Sequence, residues 1–251
     1  MQRLARLTVS TALAAAAVAL FSGSALAASP VSDLVRTSRD HSNSTNWSGY
    51  AAYNATFSDA KGSWTVPASN CSGLKRNQVS IASPWVGFDG YLSNTVEQTG
   101  TDSDCIGSTR TQYVAWYEFY PAGSVNLSSS TYPVSPGDNM TAEVAHAGSN
   151  VTVTLQNTTR NWTFSTSQSA SGLAFSSAEW IMEAPTQTLT NFGTVSFSNA
   201  AATGGTTTNG AISDFTNDAM TMVTKNGRTV RARPSTLTSG GTAFSVNWLH
   251  G

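Results

Sequence analysis

A glutamate interrupts an apolar strand pattern in the second half of the chain. The stretch SSAEWIMEAP, residues 176–185, alternates as a β-strand does and places Glu179 and Glu183 on the face opposite Trp180 and Met182. A carboxylate on a packed strand is costly to bury unless it is hydrogen-bonded or neutralised. At roughly 3.3 Å per residue the two glutamates stand about 13 Å apart, too far to share a proton directly. If Glu179 does chemistry, we therefore expect its partner on another strand, and we interpret Glu183 as a rim residue.

Three further runs place polar side chains among aromatic or small ones. Strand alternation groups the following residues on one face of each run: Trp85 with Asp89 in SPWVGFDG, Gln98 with Asp102 in VEQTGTD, and Trp116, Glu118 and Tyr120 in YVAWYEFYP. Taken alone, each of these residues could equally be a water-exposed rim position. Together they favour a functional site assembled from several strands, because perturbed carboxyl groups concentrate at such sites.

The sequence lacks the motifs of the common hydrolases. It contains no G-x-S-x-G elbow, no H-E-x-x-H zinc motif, and neither D-T-G nor D-S-G of the paired-aspartate proteases. Of its three histidines, we interpret His146 as a strand residue with a satisfied side chain rather than as a base. Asp102 and Asp104 in TDSDCIG suggest a calcium loop, but the glycine and glutamate that complete that pattern are missing, so we interpret this fragment as a turn. Carboxylates and amides remain as candidates.

The elements that must hold these side chains begin after an export signal. Residues 1–27 have a basic start, a short apolar run and an Ala25-Leu26-Ala27 ending, which is typical of a secretory signal peptide. Residues 28–45 are polar and aperiodic, and we interpret them as a mobile leader or short propeptide. Residues 46–251 are then long enough for a single domain with its own core.

Short alternating runs separated by Gly, Asn, Ser and Pro follow one another through this domain. In NVTVTLQNTT, Val151, Val153 and Leu155 face one way and the threonines face the other, as in a half-buried strand. No window after the signal carries a convincing 3.6-residue apolar stripe, so we expect little helix. The Ser-, Thr- and Gly-rich segment 198–214 is predicted to be a long loop. The pattern as a whole predicts an antiparallel all-β sandwich or barrel.

The charge balance limits the possible partners. Removing the signal leaves 11 of the 13 basic residues against 14 acidic ones, a net charge of −3, with no basic stripe for nucleic acid or an anionic membrane. In an exported chain the two cysteines, Cys71 and Cys105, favour a disulfide, which would contribute about 3 to 4 kcal/mol. Two free buried thiols are the alternative.

Seven strings occur in an order and spacing that resemble one known family. They are NWSGYAA, GSWTVP, SPWVGFDG, VEQTGTD, YVAWYEFYP, AEWIMEAP and NFGTVSFSNA, and they cover nearly the whole chain after the leader. This set is similar to the glutamic endopeptidases called eqolisins. The resemblance implies a concanavalin A-like (jelly-roll type) sandwich of two curved antiparallel sheets, with a substrate cleft along one concave sheet. It also implies a secreted, extracellular, acid-active peptidase.

The resemblance also implies which residues act. Gln98 matches the glutamine of the family's Q-T-G motif and Glu179 matches the glutamate of its A-E-W-I motif, which together form the catalytic dyad. The positions that match the family's cleft residues are Trp85, Asp89, Asp102, Trp116, Glu118 and Tyr120. One departure stands out, because Val114 replaces an aspartate two residues before Trp116, and this affects the expected pH optimum.

The implied reaction needs no metal or organic cofactor. Glu179 would take a proton from a bound water that attacks the scissile carbonyl and would return it to the leaving amine. Gln98 would hold that water and donate to the oxyanion, a contribution of about 3 to 4 kcal/mol. The expected partners are polypeptide substrates, without nucleic acid or membrane once the signal is removed, and the protein is expected to be a monomer.

A carbohydrate-active sandwich is the alternative. Concanavalin-like folds also include glycoside hydrolases and non-catalytic sugar-binding modules, and aromatic residues with carboxylates suit sugar rings as well as peptides. A glycosidase would need two carboxylates across the bond, whereas the motif order here pairs Glu179 with an amide. The amide at Gln98 favours the peptidase.

Overall fold

The computed structural model describes residues 34–38 and 40–251, and the backbone alone at residue 36. The predicted signal peptide lies outside the described residues. Eighteen strands make up most of the described chain: β1 Val35–Ser38, β2 His41–Ser44, β3 Trp47–Tyr53, β4 Phe57–Thr65, β5 Val79–Ser80, β6 Ser83–Phe88, β7 Val96–Ile106, β8 Arg110–Tyr120, β9 Val125–Asn126, β10 Asn139–Ala147, β11 Asn150–Asn157, β12 Trp162–Ser169, β13 Ser177–Glu183, β14 Thr194–Gly204, β15 Thr207–Ala211, β16 Thr216–Val223, β17 Val230–Pro234 and β18 Phe244–Trp248.

Helix is limited, in the described part, to two short 3-10 turns, Ile212–Asp214 and Ser239–Gly241. This confirms the prediction of little helix. None of the described helices is long and apolar enough to cross a membrane.

The strands form two layers joined through their edges. One layer runs β12–β11–β10–β4–β14, with β15 and β18 both paired to β14. The other layer runs β8–β7–β6–β13–β3–β16, and β17 connects β16 to β18. These pairings are antiparallel, whereas β2 lies parallel to β16. The arrangement confirms the predicted all-β sandwich.

The main core fills the space between these layers. Trp180 and Met182 of β13 pack there with residues of the facing layer such as Trp64 of β4 and Val153 of β11. The opposite face of the β13 layer carries a second, smaller cluster, which includes Ile181. The alternation in SSAEWIMEAP therefore separates a structural face from the face that carries Glu179.

Two predictions about local structure are wrong. The fragment TDSDCIG is not a turn, because β7 continues through Ile106 and turns only afterwards. Segment 198–214 is not a long loop, because β14 and β15 pair as a hairpin within it. In both places the pairing partners supply backbone hydrogen bonds that outweigh the turn-like composition.

The sheet begins before residue 46. Strands β1 and β2 pair with each other, and β2 pairs with β16, so both strands add to the sheet. Whether residues 28–45 are removed on processing stays a prediction. The predicted disulfide is confirmed between Cys71 and Cys105, whose Cα atoms lie 5.4 Å apart.

Candidate active site

Strand register brings the two candidate dyad residues into one row. Glu179 on β13 lies opposite Gly87 on β6, Gly87 lies opposite Gln98 on β7, and Gln98 lies opposite Glu118 on β8. Residues opposite each other across neighbouring strands project from the same face of the sheet. Neighbouring strands stand about 4.8 Å apart, so the backbones of Glu179 and Gln98 are separated by about 10 Å. Their side chains can therefore converge over the intervening glycine.

Gly87 leaves the space between the dyad residues without a side chain. A Cβ atom at this position would lie 2.7 Å from the carbonyl oxygen of Glu97 and 2.8 Å from Cβ of Gln98. Both distances are shorter than normal contacts, so no other residue fits without movement of β7. The gap is of the kind that a water molecule and a scissile peptide would need.

The amide of Gln98 is oriented by Glu118. Its Nε2 donates a hydrogen bond of 2.8 Å to Oε2 of Glu118, and both side chains are fully buried. Its Oε1 makes no hydrogen bond to any described residue. A carboxyl oxygen that accepts from Nε2 distinguishes the two ends of the amide. One N–H is thereby held by Glu118, while the second N–H and the carbonyl oxygen remain for a ligand.

Glu179 is fully buried beside other acids. Desolvation is the largest cause that raises its pKa well above the ordinary value, and the neighbouring acids Asp89 and Glu97 raise it further. The Ser177 hydroxyl acts in the opposite direction by favouring the charged form. A carboxylate whose conjugate acid has a raised pKa is a stronger base once ionised, which suits proton transfer to and from water.

Aromatic side chains line the next row of the same face. Trp85 lies opposite both Ile181 and Gly100, and Gly100 lies opposite Trp116. A Cβ at Gly100 would lie 2.7 Å from Cβ of Trp85 and 2.9 Å from the ring of Trp116, so this glycine makes room for both indoles. Tyr120, at the end of β8, is half-buried against the same cluster. Trp85, Trp116 and Tyr120 therefore share the face of the dyad, as predicted.

Glu183 is not the rim acid that the sequence suggested. It is fully buried, and its Oε2 accepts a hydrogen bond of 2.9 Å from the indole nitrogen of Trp85. Its Oε1 lies 3.4 Å from Nδ2 of Asn46, which donates to it. Glu183 therefore does not act together with Glu179. It holds the Trp85 ring in place through the hydrogen bond to the indole nitrogen.

Asp89 lies beyond the end of β6 and points away from the open face. Its carboxylate accepts hydrogen bonds from the backbone N–H groups of Phe175 and Ser176, at 2.7 and 2.8 Å, and from the Ser176 hydroxyl at 2.8 Å. These residues lead directly into β13. The structure thus assigns Asp89 to holding the start of the Glu179 strand rather than to a direct substrate contact.

Asp102 also lies on the dyad face, further along β7. The Ser83 hydroxyl donates a hydrogen bond to it, and it lies opposite Val114. Burial raises the pKa of Asp102 to about 7, against the Ser83 hydroxyl and the Trp116 indole, which both favour its charged form. Asp102 in turn acts on Asp104 of the same strand, whose pKa is raised to about 9, first by burial and then by the charge of Asp102.

Sequence reasoning missed one polar contact beside this row. The Tyr91 hydroxyl donates a hydrogen bond of 2.9 Å to Asp218, and both residues are buried. Asp218 lies opposite Ala51, which lies opposite Glu179, so it extends the same row by two strands. No motif signalled it, since its position depends on the β3–β16 pairing alone. His146, by contrast, lies on β10 and bonds the carbonyl of Gly148 at 3.1 Å, as predicted for a structural histidine.

Comparison with known proteins links this geometry to one group of enzymes. The model of the peptidase A4 family matches residues 45–248, which include the whole row. Aspergillopepsin-2 from Aspergillus niger is 33% identical over 192 residues, which cover 66% of this chain and 67% of that protein. Scytalidopepsin B from Scytalidium lignicola is 31% identical over 143 residues, which cover 55% of this chain and 51% of that protein.

Two solved structures are similar in fold. Scytalido-glutamic peptidase with a peptide-based transition-state analogue superposes with a TM-score of 0.66 at 23% identity, over 82% of this chain and 98% of that one. SCP-B, described as a member of the eqolisin family, was solved with the tripeptide Ala-Ile-His and superposes with a TM-score of 0.62 at 22% identity, over the same shares. Both support the sandwich fold.

Proposed function

Because the chain belongs to the peptidase A4 family of glutamic peptidases, we propose that it is a secreted acid endopeptidase in which Glu179 and Gln98 form the catalytic dyad. The observation that carries this proposal is the row across four strands, in which a glycine separates a buried glutamate from an oriented amide. The substrates are polypeptides, bound along the face that carries Trp85 and Trp116. Export by the predicted signal peptide places the enzyme outside the cell.

Hydrolysis proceeds by two proton transfers through Glu179. The ionised carboxylate takes a proton from water while the water oxygen bonds to the carbonyl carbon of the scissile peptide. The carbonyl oxygen becomes an oxyanion, and the N–H of Gln98 that Glu118 does not hold donates to it. The carbon–nitrogen bond then breaks, and Glu179 returns its proton to the leaving nitrogen. A carboxylic acid and an amine leave, and Glu179 is again ionised.

A carboxylate base suits an acidic medium. A histidine base would be protonated there, since its ordinary pKa is about 6.5, whereas a carboxyl group titrates closer to the working pH. Binding of substrate and water also brings further hydrogen-bond donors to Glu179 beside the Ser177 hydroxyl, and these favour its ionised form. The proposed enzyme therefore works at acid pH through Glu179 itself.

The test is digestion of an unfolded protein between about pH 2 and 5. Wild type should cleave it in the presence of a chelator and a serine-protease inhibitor. Glu179→Gln should lose activity by two to four orders of magnitude, the range typical of general acid–base catalysis, and Gln98→Ala should lose about 10²- to 10³-fold. Glu143→Gln, which changes an exposed acid of β10, is the matched control and should be unaffected. Full activity of Glu179→Gln would overturn the assignment.

The carbohydrate alternative fits the row less well. The row places an amide, Gln98, across Gly87 from Glu179, and its other two acids have partners of their own, since Glu118 accepts from Gln98 and Asp218 accepts from the Tyr91 hydroxyl. A glycosidase needs two carboxyl groups that act on either side of the bond. The same preparation should therefore leave polysaccharides intact, and turnover of a polysaccharide without peptide cleavage would favour the alternative.

A further inference from the structure

A second pair of buried acids lies directly behind the dyad. Glu97 precedes Gln98 on β7, so its side chain leaves the opposite face of the sheet, toward the core. There it lies opposite Phe88, the residue directly before Asp89, and both Glu97 and Asp89 are fully buried. Neither is used as an acid or base in the mechanism above. The role of these two buried carboxyl groups therefore lies outside the proton transfers of catalysis.

Asp89 has the partners of an ionised carboxylate. Two backbone N–H groups and one hydroxyl, from Phe175 and Ser176, donate to it at 2.7 to 2.8 Å. The backbone N–H of Asp89 donates a hydrogen bond of 3.1 Å to the carbonyl oxygen of Ser177. Three donors to a carboxylate stabilise its charge. The carboxylate thereby ties the segment before β13 to the end of β6, three residues from Glu179.

Glu97 has the partners of a protonated acid. Neither of its carboxyl oxygens makes a hydrogen bond to an N–H or O–H group of the described chain, and within that chain no cation pairs with it. Burial is the largest cause that raises its pKa to about 9, followed by the charge of Asp89 and the hydrogen bond to it, while the Thr95 hydroxyl acts more weakly in the opposite sense. Two carboxyl groups in contact cannot both be ionised without a cation. The proton therefore resides on Glu97.

We propose that Glu97 is a positioning residue whose carboxyl O–H donates to Asp89 and so stabilises the clamp that sets the start of the Glu179 strand. Glu97 holds this clamp only while it keeps its proton. Ionisation would place two like charges together in the core, loosen the hold on Phe175 and Ser176, and disturb Glu179. This proposal builds on the proposed function of Glu179, but its first test does not depend on activity.

The groups that surround Glu97 make it the residue that responds to pH. Across the pairings of β7, Phe88 and Phe119 lie opposite it and carry no charge. Asp89 accepts hydrogen bonds from three donors, and Glu179 projects from the other face of the layer. His146 is the nearest titratable ring on the core side through its stacking on Phe175, with ring centroids 4.0 Å apart. Because this ring stacks on a residue of the clamp, the test includes His146.

The raised pKa of Glu97 makes the folded chain less stable as the pH rises. The ordinary pKa of Glu is 4.5, so above this value the unfolded chain releases a proton that folded Glu97 keeps until about pH 9. Between these limits the unfolding constant rises about tenfold per pH unit for this one group. Glu97→Gln replaces the O–H donor by an amide N–H of nearly the same shape that does not titrate. This substitution should remove the tenfold rise of the unfolding constant per pH unit while leaving the hydrogen bonds of Asp89 to Phe175 and Ser176 in place.

The experiment measures urea unfolding of the folded chain from pH 5 to 8. Relative to wild type, the slope of the logarithm of the unfolding constant against pH should fall by about one in Glu97→Gln and stay unchanged in His146→Gln. Asp89→Asn should be destabilised at every pH, because an amide cannot accept all three donors. An unchanged slope in Glu97→Gln, or a tolerated Asp89→Asn with a disrupted Glu97→Gln, overturns the proposal.

A peptidase assay then tests the link to Glu179. Glu97→Gln should keep the wild-type kcat/KM at acid pH and, because its unfolding constant no longer rises tenfold per pH unit through this group, remain active to a higher pH than wild type. A merely structural role would change activity by a constant factor at all pH values. If no variant cleaves peptides, the proposed function fails while the unfolding slopes still decide the role of Glu97.

Discussion

Substitution of Gly87 by alanine tests whether the empty position between the dyad residues matters. The added Cβ would lie 2.7 Å from the Glu97 carbonyl and 2.8 Å from Cβ of Gln98, which is about 1 Å inside normal contact. The backbone of β7 must move to relieve this, because neither neighbour is the flexible end of a side chain. Overpacking of this kind costs about 1 to 3 kcal/mol of stability. Gln98 moves with the strand.

The larger effect should be on catalysis. A shift of about 1 Å in a positioned group can reduce the rate by about a hundredfold, so Gly87→Ala should lower kcat/KM by about two orders of magnitude, mostly through kcat. Gly123→Ala is the matched control, since an added Cβ there meets nothing within 4 Å. Initial rates on a peptide substrate and thermal unfolding of both variants measure the two effects. Activity of Gly87→Ala within threefold of wild type would refute the geometry argued for the dyad.

Three other predictions concern the same molecule. Glu118→Leu should lower kcat about ten- to a hundredfold with little change in KM, since a buried donor left without its partner costs about 1 to 3 kcal/mol, and equal kinetics would contradict its hold on the amide. The free energy of unfolding should be constant below about pH 4 and fall above it, because Glu97 and Asp104, whose pKa values are raised to about 9, keep protons that the unfolded chain releases. Each of these two groups lowers the free energy of unfolding by about 1.4 kcal/mol per pH unit. A urea midpoint that peaks at pH 7 would count against this prediction. Replacing both Cys71 and Cys105 by serine should cost about 3 to 4 kcal/mol in denaturant unfolding with the acid activity retained, whereas an unchanged midpoint would remove the disulfide from the account.

Alternation along single strands predicted much of the fold correctly. The faces of β11 and β13 follow from the sequence, because a period of two fixes which side chains point into the core. The same reasoning failed where composition and pairing disagree. The composition of residues 198–214 indicates a loop. The part of β14 in this segment nevertheless pairs with β4 on one side and with β15 on the other, and this pairing decides its structure.

The site was predictable only as far as its motifs. Gln98 and Glu179 lie in strings that resemble the family, but their placement on either side of Gly87 depends on the register of three strands, which no single strand encodes. Asp218 and the burial of Glu183 were missed for the same reason. Glu97 was not predicted, because the motif that resembles the family contains its neighbour Gln98, which lies on the other face of β7.

The central claim is that Glu179 and Gln98 act on the same water and carbonyl. The most direct measurement is a double-mutant cycle of kcat/KM at acid pH with Glu179→Gln, Gln98→Ala and the combined variant. If the two residues act as a unit, the combined variant should lose little more than Glu179→Gln alone. Losses that add fully on a logarithmic scale would mean that the two residues work independently, and would contradict the dyad.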